Sequence, residues 1–279
     1  MSPRVSVVIP SYNNADFIEA TVESVLAQTF ADFELVISDH SSTDDTWDLL
    51  QRFASDPRVR LFQTPSGGGA PANWLAVTAE ASGELLKLVC GDDIIEPDCL
   101  AVQVAAIDSA PGIVMVSAKR DLIDARGNVV IRARGLAGMT GRRPGRTAMR
   151  RTVVAGANIF GEPACVLFDR AAFTAAGGWK ADHPYVIDQQ TYCDVLARGD
   201  FYGVDRSLAH FRLSAGQWSV NLAKSQSDQV IGFHHALAAR NPGVLSRRDL
   251  VVGDARARLT AVQRRLAYLW VGRRMHAAE

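Results

Sequence analysis

The chain is poor in the features that assign a protein at once. Its 279 residues include only four cysteines, Cys90, Cys99, Cys165 and Cys193, with no CxxC pair and no metal-ligand spacing. That argues against a disulfide scaffold and a zinc site, and leaves small reduced thiols in an apolar interior. No apolar run approaches the roughly 18–20 residues needed to cross a bilayer. Lys plus Arg and Asp plus Glu both number 30, so overall charge gives no case for nucleic acid or an acidic partner. A GxGxxG fingerprint and a P-loop are both missing, which disfavours a dinucleotide fold and makes any nucleotide site depend on a metal instead of a glycine cradle. Met1 runs directly into a strand-like segment with no leader-type apolar stretch. The expectation is therefore a cytoplasmic protein, soluble or at most peripheral at the inner face of the membrane.

What is present is a repeated strand–loop–helix plan. Hydrophobic content of 48% against 22% charged residues suits one large domain, or a domain with an extension. Residues 4–9 read as a strand stopped by Pro10, followed by the loop Ser11-Tyr12-Asn13-Asn14. Asp16 then caps a helix with Glu19 at capping-box spacing, and Ile18, Val22, Val25 and Leu26 share one face. The second unit is a strand over 33–37, the loop Ser38-Asp39-His40-Ser41-Ser42, and a helix capped by Thr43 with Asp44 and Asp45 in its first turn. The third is a strand over 59–62, a loop holding Gly67, Gly68 and Gly69, and a helix over 71–82. A fourth strand over 85–90 ends in Gly91-Asp92-Asp93.

Such alternation implies right-handed crossovers and a parallel sheet, with ligands bound beyond the carboxyl ends of the strands. The loops bearing Tyr12 and Asn13, then Asp39, then the glycines, then Asp92 and Asp93 thus gather on one rim. Two adjacent carboxylates need solvent or a partner, and a hard divalent cation is a suitable one. Asp39 either accepts from ribose hydroxyls or a base N–H, or caps its own turn. The three glycines either admit a ligand close to backbone or simply make a turn.

Pro10-Ser11-Tyr12-Asn13, Val36-Ile37-Ser38-Asp39-His40-Ser41-Ser42-Thr43-Asp44, Asn73, Gly83-Glu84 and Cys90-Gly91-Asp92-Asp93, in this order and spacing, resemble family 2 glycosyltransferases of the GT-A fold. The similarity is dense over about the first 100 residues and weaker to about residue 219. It implies an α/β, GT-A type Rossmann-like, mostly parallel sheet flanked by helices over 1–219, with a nucleotide-sugar half at 1–118 and an acceptor half at 119–219. A helical C-terminal extension would occupy 220–279. The implied reaction is inverting transfer from a nucleotide-diphosphate sugar to a hydroxyl of a glycan, lipid-linked or small-molecule acceptor, in cell-surface polysaccharide or glycoconjugate synthesis.

By the same resemblance, Pro10, Tyr12, Asn13, Asp39, Asn73 and Asp92 line the donor, and Asp92 and Asp93 hold Mn2+ or Mg2+. Cys90 stands where many members carry a carboxylate, and its soft thiol is a poor ligand for such ions. Ser38 and His40 stand where Asp and Gly are common; His40 is expected to pack over the nucleotide or fill the loop. Gly177-Gly178-Trp179 followed by Asp188 is similar to the segment bearing the family's general base, which must take a proton from the attacking hydroxyl. By local pattern alone Asp188 is a helix N-cap. Glu162 falls in the region that borders the acceptor, ahead of a strand over 164–168. Ser214 replaces a histidine of a late family segment, and Trp218 either stacks on a sugar or packs as a core residue.

Beyond the rim, a helix over 97–109, a strand over 112–118 and a hairpin around Arg126-Gly127-Asn128 are expected. Residues 132–151 hold seven arginines, four glycines and no acid. They read as a mobile basic loop, solvated or embracing donor phosphate or an anionic acceptor. From about Val220 the pattern is helical; His234-His235 has no acidic partner at ligand spacing and reads as structural. Leu266, Leu269 and Trp270 with Arg264, Arg265, Arg273 and Arg274 form either a membrane-surface helix or one packed on the domain or a second subunit. A nucleotidyl or phosphoryl transferase and a non-catalytic nucleotide-sugar binder are the alternative functions.

Overall fold

The computed structural model describes residues 2–213 and 226–271, with side chains described as far as Arg264. Four short apolar runs become parallel strands: β1 (Val5–Ser11), β2 (Phe33–Asp39), β3 (Val59–Gln63) and β4 (Leu85–Leu88). Val8 lies opposite Val36 on one side and Leu88 on the other, and Ser11 lies opposite Asp39, so the strand ends are level. Val7, Val8, Ile9, Leu35, Val36, Ile37 and Leu86 are inaccessible to solvent, as expected of strands covered on both faces. The crossovers are α1 (Ile18–Leu26), α2 (Thr46–Leu50) and α3 (Gly69–Ala79).

The second half extends the same sheet with mixed direction. It comprises β5 (Ile94–Ile95), α4 (Cys99–Asp108), β6 (Ile113–Ile123), β7 (Val129–Arg134), β8 (Gly141–Arg143), α5 (Gly145–Ala155), β9 (Val166–Asp169), α6 (Arg170–Ala175), α7 (Ile187–Leu196) and β10 (Asp200–Arg212). Strand order is β3-β2-β1-β4-β9-β6-β10-β5, with β7 on β6 and β8 on β10. β9 runs antiparallel between β4 and β6, whereas β6 and β10 are parallel. The sheet is thus the expected α/β sheet flanked by helices. Inserting β9 against the grain joins its two halves.

Two helices follow, α8 (Gln226–Arg240) and α9 (Arg247–Val271). Phe233, Leu237 and Ala257 belong to the same buried core as the sheet. Gly156, at φ 64°, ends α5 so close to α9 that a Cβ there would lie 2.5 Å from the Ala257 nitrogen. His234 and His235 do have an acidic partner: Asp254 on α9 takes His234 Nδ1 at 2.8 Å and His235 Nε2 at 3.0 Å. Sequence spacing missed it because the carboxylate comes from another helix. Among the described residues no helix is long and apolar enough to cross a membrane.

Several local expectations are corrected. α1 begins at Ile18 with no side-chain cap; the Asn14 carbonyl, not Asp16, takes the first amides, from Phe17 and Ile18. Asp44, not Thr43, prepares α2, accepting from the Thr46 amide at 3.1 Å and from its hydroxyl. α3 starts two residues early because Pro71 fits anywhere in a first turn, where its missing N–H has no acceptor to serve. The basic loop at 132–151 is largely β8 and α5, held by pairs such as Arg142–Asp200 and Arg150–Asp249. The hairpin around Gly127 is present, as β6 and β7.

Candidate active site

The loops after β1 and β2 are stitched together. The Asn13 amide, in a left-handed backbone at φ 50°, donates to Ser42 Oγ at 2.9 Å, and Asn13 Oδ1 accepts from the Thr43 amide at 2.8 Å. The Asn14 and Ala15 amides donate to Thr46 Oγ1 and Asp44 Oδ2. Asp39 is fully buried, and its carboxylate accepts from the Ser42 amide and hydroxyl and from Gln63 Nε2. Its turn-capping role is thus occupied. Asn73 on α3 bonds Ser38 and the Ser11 carbonyl, tying α3 to the ends of β1 and β2. Pro10 is buried in β1, while Tyr12 stands 54% exposed at the rim.

His40 fills its loop. Its Nε2 faces the Gly67 carbonyl at 2.8 Å, so that nitrogen must donate; Nδ1 meets Thr64 Oγ1 at 2.7 Å. The ring also meets Tyr12 edge-on at 6.3 Å. The histidine therefore secures the glycine turn next to the rim and takes no part in the acidic corner.

That corner is built by a close approach after β4. A Cβ on Gly91 would lie 2.5 Å from Asn14 Oδ1, so only glycine lets this turn lie on the β1 loop. Asp92 and Asp93 are both buried. The Arg212 amide, at the end of β10, donates to Asp93 Oδ1 at 3.1 Å, and Arg212 Nε donates to the Asp92 carbonyl at 2.9 Å. The guanidinium lies over the Phe17 ring at 4.7 Å. Asp93 Oδ2 is buried with no hydrogen-bond partner among the described residues. Burial first, then the neighbouring Asp92, push Asp93 well above the usual carboxylate range. Cys90 is likewise pushed well up, by burial and then by Asp93, Asp92, Asp188 and Glu162, so the thiol is neutral amid four carboxyl groups.

This donor set can be tested against a divalent cation. Among the described residues no three His, Cys, Asp or Glu side chains form a complete metal cage. The orphaned Asp93 oxygen beside Asp92 does supply hard donors. Mg2+ and Mn2+ commonly need only one or two protein carboxylates, with water and substrate phosphates completing the shell. The residues fit an ion that arrives with its donor.

The third part of the site lies on the other half of the sheet. Asp188, in the first turn of α7, accepts from Asn158 Nδ2 at 2.8 Å and from the Gln189 amide at 2.6 Å. Burial, opposed by the Gln189 amide and aided by the charge of Glu162, raises Asp188 to about 7, even though Asn158 favours the ionised form. Glu162 is clasped by Arg120, with Arg120 Nη2 donating to Oε1 at 3.0 Å and Nε against Oε2. Burial works against the Arg120 charge, but Glu162 outweighs it and holds the guanidinium above its ordinary value.

The sequence-derived residues therefore fall into three groups: the rim with Tyr12, Asn13, Asp39 and Asn73, the corner with Asp92 and Asp93, and the pair Glu162 and Asp188. Ser214 and Trp218 lie outside the described residues. Three participants carry no sequence signal of their own: Arg120 sits inside a strand, Asn158 in an irregular loop, and Arg212 at a strand's end. Each takes its meaning from a partner between 30 and 120 positions away. His210, nearby in sequence, is engaged instead with Glu96 at 2.7 Å.

A family model described as Glycosyl transferase family 2 matches residues 6–175. Over 99 residues the chain is 39% identical to a chondroitin synthase and to a hyaluronan synthase of Pasteurella multocida, an alignment covering 35% of this chain and 10% of each relative. The chain thus spans a small part of these enzymes. Among solved structures, S. aureus TarS residues 1–349 in complex with UDP aligns with a TM-score of 0.66 at 17% identity, covering 90% of this chain and 68% of that one. The mannosyltransferase PcManGT from Pyrobaculum calidifontis, in complex with GDP-Man and Mn2+, aligns at 0.65 and 18% identity, covering 96% and 76%. At these identities the likeness establishes a shared fold.

Proposed function

The chain belongs to glycosyl transferase family 2, and we propose that it moves a sugar from a nucleotide-diphosphate sugar to a hydroxyl acceptor with inversion at the anomeric carbon, in the synthesis of a cell-surface polysaccharide or glycoconjugate. The observation that carries this reading is Asp188, a carboxylate raised to about 7 whose charge, like those of Glu162, Asp92 and Asp93, reaches Cys90 just after β4. A general base works best with a pKa near the operating pH. In support of a nucleotide-sugar donor, the fold neighbours above hold UDP in one case and GDP-Man with Mn2+ in the other.

In this scheme the stitched loops of β1 and β2 receive the nucleoside, with Pro10, Tyr12, Asn13, Asp39 and Asn73 forming its seat. Asp92 and Asp93 would hold Mn2+ or Mg2+, which when bound would offset the charge of the leaving diphosphate. Asp188 removes the proton of the acceptor hydroxyl. The oxygen then bonds to the anomeric carbon as the bond from that carbon to the diphosphate oxygen breaks. One displacement inverts the centre, so the pair of catalytic carboxylates used in glycoside hydrolysis is unnecessary. Glu162, paired with Arg120, orients the acceptor.

The test is Asp188→Asn, assayed for transfer and separately for nucleotide binding with Mn2+. Transfer is expected to vanish while nucleotide binding persists; near wild-type transfer removes Asp188 from the mechanism. Release of a nucleoside diphosphate supports glycosyl transfer, whereas pyrophosphate would mean nucleotidyl transfer.

A further inference from the structure

Of the seven arginines between 132 and 151, six are occupied within the protein. Arg132 pairs with Asp121, Arg142 with Asp200 and Arg150 with Asp249. Arg143, Arg146 and Arg151 donate to the carbonyls of Arg142, Pro242 and Ala137. Arg134, the last residue of β7, has no side-chain hydrogen bond or ion pair among the described residues.

Its position is fixed by the ladder. Arg134 is the cross-strand partner of Arg120, and its carbonyl takes Arg120 Nη1 at 3.4 Å. Directly opposed residues point to the same face, and like charges so placed are destabilising. Arg264 of α9 has its guanidinium 5.6 Å over the Tyr185 ring and bonded to the Tyr185 hydroxyl. Tyr185 lies three residues before Asp188. A Cβ on Gly135, the next residue, would lie 3.1 Å from Arg120 Nη1 and 3.6 Å from the Ile159 carbonyl, so this end of β7 sits against the loop that carries Asn158 and Glu162. Partial desolvation, followed by Arg120 and then Arg264, holds the Arg134 guanidinium below its ordinary value, with Glu162 opposing. Glu162 is committed to Arg120. A guanidinium with like charge opposite it and no side-chain hydrogen bond or ion pair among the described residues suits an anion supplied by a ligand.

We infer that Arg134 binds an anionic group, a carboxylate or a phosphate, carried by the acceptor beside the hydroxyl that Asp188 deprotonates. This rests on the proposed role of Asp188. The donor is a poorer source of the anion. Its nucleoside end lies at β1 and β2, and β6 stands three places from β1 in the sheet, about 14 Å at the usual strand spacing. Its diphosphate belongs, in the proposed scheme, with Asp92 and Asp93.

Calorimetric titration of the full chain carrying Asp188→Asn, with methyl glucuronide, glycerol phosphate and methyl glucoside as probes, tests this without turnover. At least one anionic probe is expected to bind more tightly than the neutral glucoside, and which one does so tells carboxylate from phosphate. Adding Arg134→Gln should weaken that probe roughly three- to tenfold, allowing for exposure, and 0.5 M salt should have a similar effect. Arg132→Gln, an equal charge change on the same strand, is the control and should leave binding unaltered. Equal binding of charged and neutral probes, or none, overturns the inference, as does an unaltered affinity in Arg134→Gln. A matching loss of UDP–Mn2+ affinity in Arg134→Gln would overturn it in favour of the donor. Transfer persisting in Asp188→Asn would instead strike the base assignment alone.

Discussion

Replacing Asn158 by alanine should move the pH at which the enzyme turns on. Asn158 Nδ2 donates to Asp188 Oδ2 at 2.8 Å and so favours the ionised carboxylate, which burial opposes. A hydrogen bond to a charged group is worth about 1.5–3 kcal/mol, and one pKa unit corresponds to about 1.36 kcal/mol. Because Asp188 is only half-buried, water would replace part of that bond, leaving a rise of about one unit. The sign follows from the chemistry: only ionised Asp188 accepts the proton, so kcat/KM climbs as pH passes its pKa. The wild-type limb is centred at about 7, and the variant limb near roughly 8. At pH 7 the ionised fraction then falls from about a half to about a tenth, a rate loss of roughly fivefold that nearly disappears by pH 9. Release of nucleoside diphosphate, followed from pH 5.5 to 9.5, reads both limbs. Asn158 also braces its own loop through the Gly161 carbonyl and the Phe160 amide. Loop damage would lower the rate equally at every pH; such a parallel drop, or a limb that stays at 7, would refute the tuning role.

Asp188 also bears on stability. Its folded pKa lies above that of an unfolded carboxylate, so the stability it contributes is complete below about pH 4 and is lost as pH climbs through about 7. Asp188→Asn should therefore raise the melting temperature at pH 8 by several degrees, on the order of 2–3 kcal/mol after allowance for exposure, and change it little at pH 4. An equal shift at both pH values would contradict the linkage. Cys90→Asp adds a hard oxygen donor to a place already crowded by carboxyl groups. The variant should melt lower in chelator yet bind nucleotide more tightly with Mn2+; no gain with Mn2+ would count against the metal corner. Lys87 is fully buried, and its Nζ serves Gln103 Oε1 at 2.9 Å and the Ala164 and Val166 carbonyls. Lys87→Met would strand those acceptors and cost about 3 kcal/mol, visible as a lower urea midpoint. A neutral result would mean that water takes over the lysine's bonds.

The first half of the fold was legible because its strands are compact apolar runs between turn residues, and their carboxyl ends necessarily share a rim. Local chemistry was less so. Asp16 and Thr43 had the right spacing for caps, but Asn14 and Asp44 won because each also joins the loops after β1 and β2. The stretch 132–151 looked like a loop because glycine and arginine dominate its composition. The acids that order it, Asp200 and Asp249, lie far along the chain. Asp188 was singled out by likeness to a family, since an Asp near a helix start is ordinarily a cap. What sequence could not convey is the pairing of Glu162 with Arg120, whose two members lie 42 positions apart.

The stitching of the first two loops has a consequence for how the donor is recognised. Asn13, Asn14 and Ala15 are each bonded to the next loop, and Asp39 and His40 lock that loop to Gln63, Thr64 and Gly67. The proposed nucleoside seat is therefore one prefabricated piece, and a ligand entering it would spend little of its binding energy on ordering the chain. A frame of that kind does not adapt to a different base by flexing. A change of donor would instead fall on side chains that project from the frame, such as the exposed Tyr12.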